Sequence, residues 1–330
     1  MLTSLASMAD KKKIIHKAPH WTRGLAYYLR CRARKIPPLI NIEFTKRCNA
    51  RCSFCQYWQL ESPNELADYG PIIKRFRPVV VSISGGEPLL RKNYPELIRG
   101  IRPYAHYLSL ITNGALLNEE SAGKLVEAGI DHISVSLDYV GIEHDEARQI
   151  AGLSKHLSYM IPKLAADGYR LSLNTIIMES NLDQILPLAY RAKEWGAAIS
   201  YSAFCTLKKD DAGQMVRQKR LDQLGSIISE LLRLKGQLKN IRNSDYYLKQ
   251  IPDYFRDGYV KNCRAGECWL HVTPDGFIQQ CSEMPRICYY TDFTKELVKP
   301  PACSKCWYTC RGEAEAPPLS PKRFIEFIRS

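Results

Sequence analysis

The sequence predicts an α/β fold. Six βα units form a parallel sheet, open or closed into part of a (β/α)6 TIM-like barrel, and a small cysteine-rich C-terminal extension follows. Three observations carry this. After residue 38, short β-branched runs alternate with helix-length stretches at a near-constant interval. Several of those stretches close on a glycine, where a left-handed cap is wanted. The rhythm stops near residue 205, and cysteines then crowd the segment from 263 to 310. The expected division is a basic amphipathic segment over 1–36, a core over 37–236 and the extension over 237–330.

In the N-terminal segment nine Lys or Arg stand against one acid, Asp10, so it supplies +8 of the formal +13 charge. WTRGLAYYLRCRARKIPP, residues 21–38, reads as an amphipathic helix stopped by the proline pair. Trp21, Leu25, Tyr28 and Leu29 share one face, and Arg23, Arg30 and Arg34 fall on another with Tyr27 between them. Such a helix suits the headgroup boundary of an anionic membrane, and a leader peptide or an acidic partner could use the same face.

The expected strands are 39–45 (LINIEFT), 79–86 (VVVSISGG), 107–114 (YLSLITNG), 132–138 (HISVSLD), 170–178 (RLSLNTIIM) and 197–204 (AAISYSAF). Helical stretches such as NYPELIRGIRPYA, NEESAGKLVEAGI and NLDQILPLAYRAKEWG separate them, and a long charged helix over 212–236 leads to the tail. In parallel α/β folds the chemistry sits at the C-terminal ends of the strands.

With 45% apolar residues and no low-complexity tract, the chain can bury a large core. No uncharged apolar run approaches the roughly 20 residues of a membrane span. Twelve cysteines are too few for a small disulfide scaffold, and the N-terminus lacks the apolar core of a signal peptide. A reducing cytosol is expected, where clustered cysteines serve as metal ligands or redox groups.

CNARCSFC, residues 48–55, places three cysteines at x3 and x2 spacing directly after the first strand. Structural zinc wants four protein ligands, and no His lies near these three. A cubane iron-sulfur cluster wants a thiolate on each iron, so three cysteines leave one iron free for another ligand. The motif resembles the CxxxCxΦC signature of the radical S-adenosylmethionine (radical SAM) superfamily, matched by Cys48, Cys52, Phe54 and Cys55. The resemblance implies that the open iron of a [4Fe-4S] cluster chelates S-adenosylmethionine, which reduction breaks to methionine and a 5'-deoxyadenosyl radical.

Further residues match the family. SGGEP (84–88) looks like its GGEP motif, with Gly85, Gly86 and Pro88 shaping a turn whose backbone groups and Glu87 hold the methionyl ammonium. Glycines suit that role because a backbone without Cβ approaches a ligand closely. TNG (112–114), with Asn113, and SLD (136–138), with Ser136, resemble family landmarks. HDEARQIAG (144–152) resembles a loop in which an arginine, here Arg148, meets the cofactor carboxylate, a task for a fork-shaped guanidinium. Asn174 matches a position that touches the ribose or carboxylate.

The tail resembles the twitch or SPASM extension of that superfamily. CRAGECWLHVTPDGFIQQC (263–281) is a hairpin with a PDG turn and a cysteine at each end, and CSKCWYTC adds Cys303, Cys306 and Cys310. Cys263, Cys281, Cys303 and Cys306 fit one auxiliary cluster best, with Cys310 and Cys268 as alternates and structural zinc as the rival. Cys31 and Cys288 read as ordinary thiols, Cys205 as a buried thiol or a hydrogen-atom donor, and Glu179 and Tyr201 as core, surface or pocket residues.

The resemblance implies a radical enzyme that takes hydrogen from an organic substrate and draws electrons from a donor such as flavodoxin or ferredoxin. The amphipathic helix points to a lipid or lipid precursor. A maturase of a peptide or cofactor precursor is the alternative, and a two-cluster electron-transfer or metal-stabilised binding protein is the second. Nucleic acid is not the expected partner, because the core carries its charge on the helices between strands rather than on an aromatic-basic stripe.

Overall fold

Apolar residues at every second position build one sheet. The computed structural model, which describes residues 21–62 and 64–316, places its first six strands at β1 (Leu39–Glu43), β2 (Val80–Ser84), β3 (Tyr107–Thr112), β4 (His132–Ser136), β5 (Leu171–Ile177) and β6 (Ala198–Ala203). Each lies inside its expected run and ends one or two residues early, where the chain leaves the ladder for a loop. Residues 1–20 of the basic segment, 317–330 of the extension and the Trp21 side chain lie outside the described residues.

All six strands are parallel neighbours in chain order. Between them run α2 (Gly70–Phe76), α3 (Tyr94–Ile101), α4 (Glu119–Ala128), α5 (Ile142–Arg148), α6 (Leu153–Ala166) and α7 (Ile185–Glu194). Helix α4 shows the local logic: Asn118 and Ser121 cap each other's backbone N–H at its start, and Gly129, at φ +112°, closes it.

The two faces of the sheet differ. Ile42, Ile83, Leu110, Ile133, Leu173 and Ile199 are fully buried on one. Polar residues hold the alternate positions: Asn41, Ser82 and Ser109 lie in one row, and Ser136, Asn174 and Ser200 in another. A closed (β/α)8 barrel fills its interior with branched side chains, whereas hydroxyls and amides here leave a polar lumen.

After β6 the expected helix over 212–236 starts late, as α8 (Leu221–Leu238). Residues 206–220 are held as turns: Asp211 accepts from Gly213 N at 2.8 Å, and Glu179 accepts from Arg217 N at 3.0 Å. Leu224, Ile227, Ile228, Leu231 and Leu234 bury one stripe of α8 against α7 and α10 (Ile251–Asp257).

The extension continues the core sheet. Strand β7 (Trp269–Val272) pairs parallel with β1, and β8 (Phe277–Gln279) and β9 (Arg286–Tyr289) follow antiparallel. The PDG turn closes the β7–β8 hairpin with Gly276 at φ +87°. At the opposite edge, the segment leading into α11 (Thr309–Glu315) straps across β6. Thr309 Oγ1 donates to Tyr201 O at 2.7 Å, and Tyr247 OH accepts from Ala203 N at 2.9 Å and donates to Trp307 O at 3.0 Å. The tail therefore touches both edges of the six-stranded sheet.

Helix α1 (Trp21–Arg34) docks through Gly24, packed on His106, and the buried Cys31. Leu25 and Leu29 stay 47% and 57% exposed, so the face expected to be apolar points outward. No helix among the described residues is long and apolar enough to cross a membrane.

Candidate active site

The three cysteines lie in the loop after β1, held from three sides. Gly86 N donates to Thr45 O and Glu87 N to Arg47 O, each at 2.8 Å. A Cβ on Gly85 would come 2.2 Å from Thr45 O, and one on Gly86 2.1 Å from Arg47 O. The GGEP glycines thus let this turn lie close against the backbone that leads into Cys48. Pro88 is buried and opens a short 3-10 turn.

Glu87 is fully buried, and both its oxygens are engaged. Oε1 accepts from Leu89 N at 3.1 Å and from Thr112 Oγ1 at 2.8 Å, and Oε2 accepts from Asn113 N at 2.8 Å. Burial pushes its carboxyl up against the pull of those donors. Its side chain ties two loops together. Asn113 extends the tie, donating from Nδ2 to Asn49 Oδ1 in the cysteine loop at 2.7 Å.

From the third side, Arg51 N and Ser53 N donate to the carbonyls of Arg148 and Ala147 at the end of α5. The buried Arg148 guanidinium donates from Nε and Nη2 to Asp138 Oδ2 at 3.0 and 2.5 Å. Nη1 turns to Cys52 Sγ at 3.8 Å, and the group lies 5.1 Å from the centre of the Phe54 ring. Two of its three nitrogens hold Asp138, and the third turns to the cysteine loop. Asp138 N in turn donates to His144 Nδ1 at 3.2 Å. Asp138 is the acid of the SLD landmark, ten residues before the HDEAR arginine, and is fully buried.

Ser136 and Asn174 share a row on the polar face, and Ser200 Oγ donates to Asn174 Oδ1 at 3.5 Å. Of the residues expected to meet the cofactor, these two face the lumen, while Gly85, Gly86, Glu87, Pro88, Asn113, Arg148 and Phe54 frame the cysteine loop. Burial raises the Cys48 thiol to about 11 and also raises Cys52.

With this frame in place, the radical SAM superfamily pattern matches residues 42–178, from the second half of β1 to the end of β5. Residues 42–178 are a radical SAM domain. The chain is 27% identical over 272 residues to a PqqA peptide cyclase of Granulibacter bethesdensis, across 74% of this chain and 68% of that protein. Streptococcus suis SuiB bound to S-adenosylmethionine superposes at a TM-score of 0.64 and 16% identity, over 84% of this chain and 69% of that one. Native anSMEcpe with bound AdoMet and Kp18Cys peptide gives 0.59 and 17%, over 88% and 83%. At such identities these structures speak for the fold, a partial barrel with strands in parallel.

The cofactors of this radical SAM enzyme are a [4Fe-4S] cluster and S-adenosylmethionine. Three soft thiols on one braced loop, with no imidazole or carboxylate among them, fit the cluster. Cys48, Cys52 and Cys55 would hold the cluster, and the two cofactors would together supply radical chemistry at this site. The chain itself holds the thiols in register, shields them with Phe54 and sets the positive Arg148 edge beside one of them.

In the tail, Cys303 lies among the neighbours of Cys263, Cys263 and Cys310 among those of Cys281, and Cys205 and Cys310 among those of Cys306. Cys268 packs in one small cluster with Cys263, Ala265, Trp269 and Cys281, beside Arg264 and Glu267. Among the described residues, no three His, Cys, Asp or Glu side chains converge as one metal ion would need. Arg311, fully buried, secures the strap by donating to Cys306 O at 2.7 Å and to Val260 O at 2.8 Å.

Between the two cysteine sets lies a group that the motifs did not reveal. Lys46, two residues before Cys48, and Lys208, just past β6, place their ammoniums 4.3 and 4.5 Å from the centre of one ring, Tyr57. Lys46 pairs with Glu43, and His271 Nε2 stands 3.4 Å from Glu43 Oε1. Although burial works against the charge, His271 and Lys46 hold the Glu43 carboxyl at about 2. Cys205 is buried beside Cys306, Tyr201 is a core residue bonded to Ile185 O, and Glu179 is tied to Arg217.

Proposed function

We propose that this radical SAM enzyme modifies a peptide, as a maturase that abstracts hydrogen from a residue of its substrate. The carrying observation is the relationship to a PqqA peptide cyclase over 74% of the chain. The polar lumen supports the same reading, since serine and asparagine rows offer hydrogen bonds to amide groups and little to an acyl chain. Both observations favour the peptide alternative over the lipid reading. Cys263, Cys281, Cys303 and Cys306, with Cys310 or Cys268 able to replace one of them, supply the four ligands of one auxiliary cluster. A flavodoxin or ferredoxin supplies the electron.

The test is anaerobic incubation of the iron-reconstituted enzyme with S-adenosylmethionine, a strong reductant and peptides encoded beside its gene. 5'-Deoxyadenosine formation should rise with one peptide, which should change mass. Stimulation by a lipid extract, with every peptide inert, would overturn the proposal.

A further inference from the structure

Among the described residues, the Lys208 ammonium packs on the Tyr57 ring and lies near Glu283 and Glu43 without pairing with either. Lys46, Glu43 and His271 form a chain among themselves. Glu283 accepts from Ser282 Oγ at 2.8 Å. Lys208 makes no ion pair and no side-chain hydrogen bond among the described residues; its contact is the Tyr57 ring. Its strongest charged neighbours, Cys55, Glu283, Glu43 and Cys205, come from both ends of the barrel and from the tail. Cys310 feels it from the strap. An ammonium has three N–H donors and loses free energy when it leaves water without acceptors.

We propose that Lys208, backed by the Tyr57 ring and Lys46, is a carboxylate-binding subsite that anchors an acidic group of the peptide substrate between the two cysteine sets. This rests on the peptide reading of the site. The position fits the task. Tyr57 follows Cys55 by two residues, so an anchor on this ring fixes a substrate beside the cysteine loop, and Lys208 reaches the same ring from the far edge of the sheet. The carboxylate could come from an Asp or Glu side chain or from a peptide C-terminus.

The test labels the lysines of the iron-reconstituted full chain with an amine-acylating reagent, read residue by residue by mass spectrometry. The probes are N-acetylglutamate amide, N-acetylglycine and the neutral N-acetylglutamine amide. At about four times its Kd, a bound carboxylate should slow acylation of Lys208 about fivefold while exposed Lys124 is unchanged. Protection by N-acetylglutamate amide supports a side-chain anchor, and protection by N-acetylglycine a C-terminal one. Equal protection by the neutral amide, equal slowing at every lysine or no protection would each overturn the subsite. So would a Lys208→Met variant that shifts the cluster reduction potential yet leaves an acidic peptide's affinity unchanged, because Lys208 would then be a counter-charge to the cysteines. No turnover is needed here, so protection with no peptide ever modified would sink the maturase reading alone, and a modified peptide without protection would sink the subsite alone.

Discussion

Arg148 and Asp138 form a buried pair whose spare edge touches Cys52: two guanidinium nitrogens hold the carboxylate, and Nη1 lies 3.8 Å from the sulfur. Removing one partner of such a pair strands the other charge. Arg148→Met should therefore cost about 3–5 kcal/mol in denaturant unfolding of the iron-free chain. Asp138→Asn added to Arg148→Met should restore a good part of that loss. A double variant no more stable than the single would mean that the pair is not what holds this corner.

Much of this fold is readable from strand alternation, because β-branched runs and glycine caps act locally. The cysteine loop is readable for a similar reason, since its ligand spacing lies within eight residues. What could not be read depends on contacts across long separations. Gly86 meets the backbone of Lys46 and Arg47, and Glu87 bonds to Thr112 and Asn113, so motif residues that look like ligand contacts also serve as braces. Lys208 and Tyr57 meet only because the barrel brings the loop after β6 to the loop after β1. The serine rows were visible as I-S-V-S and L-S-L-N, a period-two pattern that reveals a polar lumen once the register is known.

Gly86→Ala should prevent normal iron loading, because its Cβ would stand 2.1 Å from Arg47 O and 2.4 Å from Lys46 O, both backbone atoms. Glu87→Gln should be milder, at about 1–3 kcal/mol, since the amide NH2 would oppose a donor that the carboxylate accepts. Iron content after reconstitution checks both. Full loading of Gly86→Ala would show that the loop does not depend on this close approach.

His144 gives a pH signature. Burial, followed by the charge of Arg148, lowers it to about 4 from the usual 6.5, and its ring is fully buried. The folded chain prefers the neutral ring, so its contribution is fully present above the unfolded value and is lost as pH falls toward 4. The loss should reach about 3 kcal/mol, at 1.36 kcal/mol per pH unit. His144→Asn keeps an acceptor for Asp138 N and should flatten stability between pH 6.5 and 4 relative to wild type. Parallel curves for the two proteins would assign the acid sensitivity elsewhere.

The two cysteine sets should load independently. Reconstituted wild type is expected to carry two [4Fe-4S] clusters, about eight irons per chain, and Cys48, Cys52 and Cys55 together replaced by Ala should leave about four. The tail set has its own supports: Arg311 fixes the Cys306 carbonyl, and Trp307 stacks on Tyr247 with ring centres 5.5 Å apart. Neither support runs through the loop after β1, so loss of the first set should not unfold the second. Cys310→Ser should lower the tail iron, because Cys310 lies among the neighbours of Cys281 and Cys306, and Cys268→Ser, at a thiol packed with Cys263 and Cys281, tests the other alternate. Iron and sulfide analysis with electron paramagnetic resonance of each reduced variant separates these outcomes. Loss of all iron in the triple variant would overturn independent loading, and full tail iron in Cys310→Ser with loss in Cys268→Ser would put Cys268 in place of Cys310.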